Sequence, residues 1–551
     1  MTEPKPLKLN LKKRLWQHQP LIIVLTSGIL MGLAPAPLNF WVLAWVALVP
    51  LWVLAVKFKS SFKALLLQGL VWGIGYHGLA LFWITGIHPM TWMGVNWWVS
   101  LAIALFCWIF ITLWGAVQVA LWVGIFGFVC RSLSQTSKFR IALSRVLIGT
   151  ALWCSLEFLW SRGPLYWSSL SYTQSPFNLP LLHLGQISGP LTVTAAIITV
   201  NGWIAEAWIN RKNVTRPIYF NWKYLCIAAG TVITLHLIGF TLYIRPLAQP
   251  PESALKVGII QGNIPNEVKL YEEGWQRALK NYTKGYQILA NQGVDAVLTP
   301  EVALPLRWTE PNRIQNPFYQ TILEKRVVAW VGAFGTQGNR LTNSLFTVAG
   351  NGQILSEYRK VKLVPLGEYI PFEQWLGQFV NRLSPLKANL IAGQSNQTFD
   401  TPFGRAIVGI CYESAFAEHF RAQAAAGGQF ILTASNNAHY SPAMPAQHHA
   451  QDVMRAIESD RWAVRATNTG YSGIVDPHGQ TLWRSSLNTY ELHIDTIYRR
   501  STQTLYVRWG DWLTPLLAVA GLTVWLLNSF KRNRNRLSHK AKSCPNVVFM
   551  K

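Results

Sequence analysis

The first half of the chain repeats one pattern, in which long apolar runs almost free of charge are joined by short polar connections. Such runs cover about 21–36, 40–56, 65–87, 97–129, 141–160, 181–209 and 224–244, and an eighth covers about 512–530. About 20 mostly apolar residues are enough for a helix to cross the hydrocarbon core of a bilayer. The pattern therefore predicts an α-helical polytopic membrane domain with about eight transmembrane helices. The runs at 21–36 and 40–56 are short for a crossing, whereas 97–129 is long enough to hide a steep tilt or a re-entrant piece. Between 247 and 510 the pattern changes. Short apolar segments bounded by turn residues predict strands at 256–261, 296–299, 327–333, 344–348, 353–357, 406–410, 430–434 and 473–475. Helical periodicity predicts helices at 273–290, 414–426 and 448–461. Strands and helices alternating in this way predict an α/β domain, helices layered on a β-rich centre, with enough residues for one substantial core. The expected organisation is a seven-helix membrane domain over 1–246, the α/β domain over 247–510, a last transmembrane helix over 511–530 and a basic tail over 531–551.

Charge adds orientation to this picture. The 551 residues include 49 Lys and Arg against 24 Asp and Glu, a formal charge of +25. An excess of that size points to nucleic acid or to an anionic membrane surface, and its position decides between them. Residues 1–250 carry 18 basic and 3 acidic side chains, 251–508 carry 24 and 20, and 509–551 carry 7 and 1. The excess lies among and beside the apolar runs, which excludes a wholly soluble globule and a disordered polycation, and leaves no concentrated patch for nucleic acid. Basic residues in short loops accumulate on the cytoplasmic side. They occur in the N-terminal arm (Lys5, Lys8, Lys12, Lys13, Arg14) and in the second (Lys57, Lys59, Lys63), fourth (Arg131, Lys138, Arg140, Arg145) and sixth (Arg211, Lys212, Arg216, Lys223) connections, while the first, third and fifth hold only Arg162. Splitting the run at 97–129 would break this alternation, so it is kept whole. Both termini are then expected in the cytoplasm, and 247–510 on the periplasmic face of the cytoplasmic membrane. Ala34-Pro35-Ala36 resembles a signal-peptide cleavage site, but Pro37 would block the cut, so the first span is expected to remain.

Three features of the spans stand out. Gly28 and Gly32 form a small-xxx-small pair that lets helices approach closely. Glu157, near the outer end of the fifth run, is a functional candidate because ionisable groups at that depth are costly, with pairing to Arg162 as the plainer alternative. Trp92, Trp97 and Trp98 read as interfacial anchors.

Cysteine placement carries the strongest chemical signal of the α/β domain. Cys107, Cys130, Cys154 and Cys226 fall in or beside apolar runs and Cys544 in the tail, which leaves Cys411 alone on the expected outer face. Thiols there are usually paired or absent, so a single one needs a reason. Cys411 ends the apolar strand Ile407-Val408-Gly409-Ile410 and precedes a helix. A nucleophile at such an elbow is exposed at the sheet edge, where helix amides lower its pKa and bind an oxyanion; a buried structural cysteine is the alternative. A thiol nucleophile needs a proton acceptor and a group to hold the oxyanion. Glu301 follows the strand ending Leu298-Thr299, and Lys360 follows another strand ahead of Pro365-Leu366-Gly367-Glu368-Tyr369. Either alone would read as a solvated surface residue.

A Glu, a Lys and a Cys in that order at strand ends resemble the nitrilase superfamily. The narrower set Gln261-Gly262-Asn263-Ile264-Pro265, Lys360 followed by Leu363-Val364-Pro365 and Gly367-Glu368-Tyr369, Gly409-Ile410-Cys411-Tyr412-Glu413, Gln447-His448, Arg465-Ala466-Thr467-Asn468-Thr469-Gly470 and Gly510-Asp511-Trp512 resembles the apolipoprotein N-acyltransferases. The resemblance covers about 20–530. It implies an αββα nitrilase-like sandwich and a phospholipid acyl donor whose chain passes through a thioester on Cys411 to the α-amine of an S-diacylglyceryl cysteine on a lipoprotein. It also implies Glu301 as general base, Lys360 as oxyanion stabiliser, Glu368 as the group that holds Lys360, and Tyr412, Glu413 and Asn343 as supporting residues, with no cofactor. For such a base to take a proton from an amine, Glu301 is expected to be partly buried with a raised pKa. Leu270 stands where related sequences often have Trp, and Ser435-Asn436-Asn437-Ala438-His439-Tyr440 replaces a usual Asn-Asp-Ala/Gly-Trp-Phe run. His448, His449 and Asp452 could be misread as metal ligands, since positions four apart share a helix face, but no further ligand cluster accompanies them, so no metal is expected. A monomer is expected. Two other readings are a membrane-anchored nitrilase-type amidase, for which one anchor would do, and a non-catalytic lipid-binding or transport protein, which would not need all three reactive residues.

Overall fold

Polar caps set where the membrane helices begin. Ser61, Asn96, Ser137 and Asn221 stand at the starts of helices Phe62–Ala80, Trp97–Ser132, Lys138–Trp160 and Trp222–Tyr243, and each side chain accepts a hydrogen bond from an amide of the first turn. The computed structural model describes residues 7–57, 61–133, 137–211, 220–370 and 389–542, with side chains within 19–530 of those spans. The basic side chains of the N-terminal arm, Lys59, Lys212, Arg216 and the tail with Cys544 lie outside the described residues.

All eight apolar runs contain helix. Among the described residues, five helices are long and apolar enough to cross a bilayer: Trp97–Ser132, Lys138–Trp160, Pro190–Ile209, Trp222–Tyr243 and Leu513–Phe530. The run at 40–56 is broken into a 3-10 turn, Trp41–Trp45, and the helix Val49–Lys57. The run at 65–87 tightens after Ala80 into the 3-10 turn Phe82–Ile87, and that at 181–209 begins with two single-turn helices, Leu179–Leu182 and Gly185–Ser188. Run 97–129 is one unbroken helix of 36 residues. Such a helix is about 54 Å long, well beyond the roughly 30 Å of a hydrocarbon core. The small-residue pair does close an interface. A Cβ on Gly28 would lie 2.1 Å from the Trp72 carbonyl oxygen, and one on Gly32 2.9 Å from Leu79 Cβ, so helix Leu7–Gly32 packs directly on Phe62–Ala80.

Glu157 is buried and does not pair with Arg162, whose guanidinium lies over the Phe158 ring instead. Its carboxylate accepts from Ser169 Oγ at 2.5 Å, Trp153 Nε1 at 2.9 Å, Thr194 Oγ1 at 3.1 Å and Leu170 N at 3.3 Å. Four donors compensate the burial of the carboxylate, which a single exposed arginine at the helix end could not do. The carboxylate thereby ties two helices to the connection around 161–178.

The α/β domain holds β1 (Ala254–Gln261), β2 (Ala296–Leu298), β3 (Leu304–Arg307), β4 (Val328–Gln337), β5 (Arg340–Val348), β6 (Ile354–Arg359), β7 (Phe399–Thr401), β8 (Gly404–Ile410), β9 (Phe430–Ser435), β10 (Ala463–Thr467), β11 (Gly473–Val475), β12 (Thr481–Arg484) and β13 (Glu491–Tyr498). The first sheet runs β13-β1-β2-β4-β5-β6, with β3 alongside β4, and the second runs β12-β11-β10-β9-β8-β7. Alternation along the strands assigns the faces. Val257, Ile259, Leu298 and Trp330 of the first sheet meet Val408, Ile410, Leu432 and Val464 of the second in the core between them. The opposite parity, Ile260, Val297 and Val331, is covered by Tyr282, Tyr286 and Phe318 from helices Glu272–Asn291 and Pro317–Lys325.

The second sheet's outer face is covered differently. Helices Ala417–Ala425 and Ala443–Ser459 lie on it, and their far sides share one apolar cluster with the membrane helices. Polar contacts fix this junction: Trp167 Nε1 donates to Gln447 Oε1 at 2.7 Å, Gln447 Nε2 to the Ala80 carbonyl at 2.8 Å, Tyr172 OH to the Ala415 carbonyl at 3.0 Å and Ser175 Oγ to the Ala450 carbonyl at 2.6 Å. Glu157 anchors the connection that supplies Trp167, Tyr172 and Ser175. Glu157→Leu strands four buried donors, and unmet donors cost about 1–3 kcal/mol each. Unfolding of the detergent-solubilised protein is expected to show a loss of at least about 3 kcal/mol for Glu157→Leu, with Glu157→Gln, which keeps an acceptor, losing less than half as much.

Candidate active site

The site is assembled from strand ends of both sheets. After β2, Thr299 Oγ1 accepts from Gly332 N at 3.0 Å, and the chain then turns so that Val302 takes φ +45° and Glu301 points inward. After β6, Lys360 N donates to the Asn343 carbonyl at 2.8 Å, which registers Lys360 beside β5. After β8, Cys411 takes φ +52° and opens the 3-10 turn Cys411–Ala415. A non-glycine residue in the left-handed region marks a turn that its surroundings must enforce. Glu413 supplies much of that enforcement. Its buried carboxylate accepts from Ile410 N at 2.7 Å, Val361 N at 2.6 Å, Lys362 N at 3.0 Å and Tyr358 OH at 2.9 Å. One side chain thus joins the Cys411 elbow to the loop after Lys360. From behind, His448 Nε2 lies 2.6 Å from the Cys411 carbonyl and must donate to it.

The charged groups form one network. Lys360 Nζ donates to Glu301 Oε1 at 2.9 Å and to the Glu368 carboxylate at 3.0 Å, and Asn343 Nδ2 bridges the same two carboxylates at 2.7 and 2.9 Å. The other oxygens are held by main-chain amides, Glu301 Oε2 by Asn436 N at 2.9 Å and Glu368 Oε2 by Val364 N at 2.8 Å. Lys360 is fully withdrawn from solvent, yet Glu301, Glu368 and Cys411 beside it hold its ammonium well above the usual range despite the opposing effect of burial.

Two expectations need correction. Glu301 is buried, which pushes its carboxyl up, but the Lys360 charge and hydrogen bond, Lys269 and Asn343 outweigh burial and leave it below the ordinary value rather than above it. Cys411 is not acidified. Burial, then the Glu301 charge, push its thiol up to about 12 against the opposing pull of Lys360. Both corrections have one origin. The sequence could not show that the carboxylate, the ammonium and the thiol are buried around one shared space.

That space is a cavity of about 380 Å³ that includes Glu301, Lys360, Glu368, Asn343, Cys411 and Tyr412 among its lining. Glu413 lies behind it, and Tyr412 stacks on Trp167 with the rings 7° from parallel. The membrane part supplies much of the wall, including Leu81, Trp83, Ile87, Met90, Met93, Cys107 and Ile111. Trp92 belongs to this wall too, so it is more than an interfacial anchor, while Trp98 stays exposed. The sequence departures cluster here. Leu270, His439 and Tyr440 all line the cavity, and Tyr440 sets its ring edge against Trp83 at 5.0 Å. Sequence reasoning missed Lys269 and Asn436. Lys269 stands next to Leu270 and donates to the Glu301 carbonyl at 2.9 Å; only its nearness to the Gln261-Gly262-Asn263 motif could have flagged it. Asn436 acts through its amide, which no side-chain pattern reveals. On helix Ala443–Ser459, His448 is engaged as above, His449 Nε2 lies 2.8 Å from Thr481 Oγ1, and Asp452 pairs with Arg465.

Comparison with known proteins gives two family matches in order along the chain. Residues 256–506 match the family described as carbon-nitrogen hydrolase, and 27–203 match the apolipoprotein N-acyltransferase N-terminal domain. A protein of Nostoc sp. named apolipoprotein N-acyltransferase is 60% identical over 515 residues, covering 93% of this chain and 100% of its own length. One of the same name from Synechocystis sp. is 49% identical over 512 residues, covering 90% and 98%. Among solved structures, an amidase from Nesterenkonia sp. is similar to 47% of this chain over 95% of its own, at 19% identity and a TM-score of 0.35. With its two parts matched in order and relatives aligned over nearly their whole length, the chain belongs to the apolipoprotein N-acyltransferase family.

Proposed function

We propose that this protein transfers an acyl chain from a membrane phospholipid to the α-amine of the S-diacylglyceryl cysteine at a lipoprotein's N-terminus, through a thioester on Cys411. The carrying observation is that the thiol, the carboxylate and the ammonium line a single cavity to whose wall the membrane part contributes many apolar side chains. A lipid ester can then reach the thiol without its chain entering water.

The resting state is a protonated thiol beside an ionised Glu301. As Cys411 Sγ attacks the ester carbonyl carbon, its proton passes to Glu301. Lys360 has three N–H donors, two of which are committed to Glu301 and Glu368. The third serves the oxyanion. Collapse breaks the bond to the glycerol oxygen, which takes the proton from Glu301 and leaves as the alcohol of a lysophospholipid. In the second half the α-amine, having released one proton from its ammonium form, attacks the thioester carbonyl. Glu301 takes a second proton from that nitrogen and returns it to sulfur, and the products are amide and free thiol. Because the thiol is weakly acidic, proton transfer must accompany attack, which places Glu301 under direct kinetic control of both halves. Glu368, Asn343, Glu413 and Tyr412 position these groups. The proposed topology has eight crossings with both termini in the cytoplasm and the α/β domain, 247–510, on the periplasmic face; a monomer suffices, since one chain supplies every group named.

Incubation of the purified protein with acyl-labelled phospholipid is expected to give hydroxylamine-sensitive label on the protein, which a diacylglyceryl lipopeptide then removes as amide. Cys411→Ala should carry no such label, and label persisting there refutes the nucleophile. Label passing only to water would instead identify a hydrolase. Glu301→Gln is expected to slow labelling by about 10²–10⁴-fold and Lys360→Met by about 10²–10³-fold. A periplasm-active reporter inserted in an exposed turn of the α/β domain, such as 338–339, should be active; activity of a cytoplasmic reporter there instead would reverse the topology.

A further inference from the structure

One buried charge in the cavity has no part in the mechanism above. Lys269 ends the single-turn helix Asn266–Lys269, is 3% exposed, and donates from Nζ to the main-chain carbonyl of Glu301 at 2.9 Å. That carbonyl is its one hydrogen-bond partner among the described residues. The chain holds it there firmly. Asn263 N donates to the Asn468 carbonyl at 2.7 Å, Ile264 exchanges hydrogen bonds with the Asn468 side chain at 2.9 and 2.7 Å, and Lys269 N donates to the Pro265 carbonyl at 3.0 Å. From the other side, a Cβ on Gly274 would come within 2.7 Å of Lys269 Cα, so the following helix leaves no slack.

A buried ammonium with one neutral acceptor is costly unless an anion compensates it. Counting charges identifies the anion. Three carboxylates line the cavity; Glu267 is exposed to solvent, whereas Glu301 and Glu368 are withdrawn from it and share the single ammonium of Lys360, which balances one of them. Lys269 balances the other, so the withdrawn group of Glu301, Glu368, Lys360 and Lys269 is neutral with the thiol protonated, and it stays neutral together with the thiol when the thiol proton moves to Glu301.

We infer that Lys269 is the second cation of the active site, a positioning residue that holds the Glu301 main chain and balances the charge of its carboxylate. This rests on the function proposed above. Other groups acting on Glu301 are Lys360 and Glu368 from the loop after β6, Cys411 at the end of β8, His439 and Tyr440 from the loop after β9, and His448 from helix Ala443–Ser459. Lys360 is the single cation left among them once Lys269 is removed, since burial holds His439 and His448 neutral with pKa values near 4 and 3. A nearby opposite charge lowers a carboxyl pKa by about 1–3 units. Without Lys269 the Glu301 pKa rises, and the base is lost at a higher pH as acid is added.

The test follows the rate of Cys411 acylation by labelled phospholipid from pH 4 to 8, in the full-length protein and in Lys269→Met, Lys269→Gln and Lys269→Arg. The natural protein should hold its rate to the acidic end, whereas Lys269→Met should show an acid limb moved up by at least about one pH unit. Lys269→Gln keeps a donor for the Glu301 carbonyl and lacks the charge, so it must show the same limb even if Lys269→Met fails to fold. Lys269→Arg keeps the charge and should retain the natural profile at reduced rate. A rate loss with an unmoved limb in the uncharged variants makes Lys269 structural only and overturns the inference. Alkylation of Cys411 by iodoacetamide needs the same proton transfer but no lipid, and should shift likewise. If the natural protein alkylates with the expected profile and never acylates, the functional reading falls while this one stands.

Discussion

Everything in this site follows from holding the Lys360 ammonium where water cannot reach it. Such an ion survives only if carboxylates meet it at hydrogen-bond distance, and Glu301 and Glu368 do so at 2.9 and 3.0 Å. Those carboxylates need donors for their remaining oxygens, which Asn343 Nδ2 and the amides of Asn436 and Val364 provide. Each donor comes from a different segment: β5, the loop after β9, and the loop after β6. A single buried charge thus requires two sheets and three loops to be in register. The same requirement explains why Glu301 is more acidic than an isolated buried carboxyl would be. Burial alone would have neutralised it, and the cation wins because it is within direct contact.

The second constraint is that a lipid substrate must meet this polar floor. A soluble αββα domain would cover both outer sheet faces with its own amphipathic helices. Here the helices on the second sheet are buried on both sides, and Ala443–Ser459 shows this most clearly because all but two of its residues are buried. One face of that helix supplies His448 behind Cys411, and Gln447 next to it holds Trp167 and the Ala80 carbonyl of the membrane part. The elements that position Cys411 and those that position the cavity wall are therefore the same. A shift of the membrane helices would be felt at Cys411 through one helix turn.

The sequence made the division of the chain legible because each part obeys its own period. Long apolar runs mark the membrane helices, and short apolar segments between turn residues mark β1, β4, β5, β8 and β9. Strands invisible to that reading have physical reasons for being so. β3, β7 and β12 have four residues or fewer, β13 is half-buried along most of its length and so has no clear apolar face, and β10 carries Arg465 at its centre. That arginine is buried because Asp452, 13 residues earlier, turns back to meet it. Glu301, Lys360 and Cys411 were legible as strand-end residues of reactive type. Their protonation states were not, since these depend on distances across sheets. Glu157 was legible as costly but not as a four-donor hub, because its partners Ser169 and Thr194 look like ordinary polar residues of apolar segments.

The weakly acidic thiol completes the argument. A nucleophilic cysteine is often activated by lowering its pKa, which raises the thiolate fraction at the expense of exposure to oxidation and disulfide exchange. On the proposed topology, with the thiol in an oxidising compartment, that arrangement would be most exposed to damage. With burial and Glu301 pushing it to about 12, Cys411 stays protonated until a proton acceptor and an electrophile are both in place. In the proposed mechanism the acceptor is Glu301, already ionised because Lys360 and Lys269 hold it so. Reactivity is then released by the arrival of an ester at the cavity floor rather than stored in a resting thiolate. The chemistry is protected by the same exclusion of water that made the buried ion network necessary.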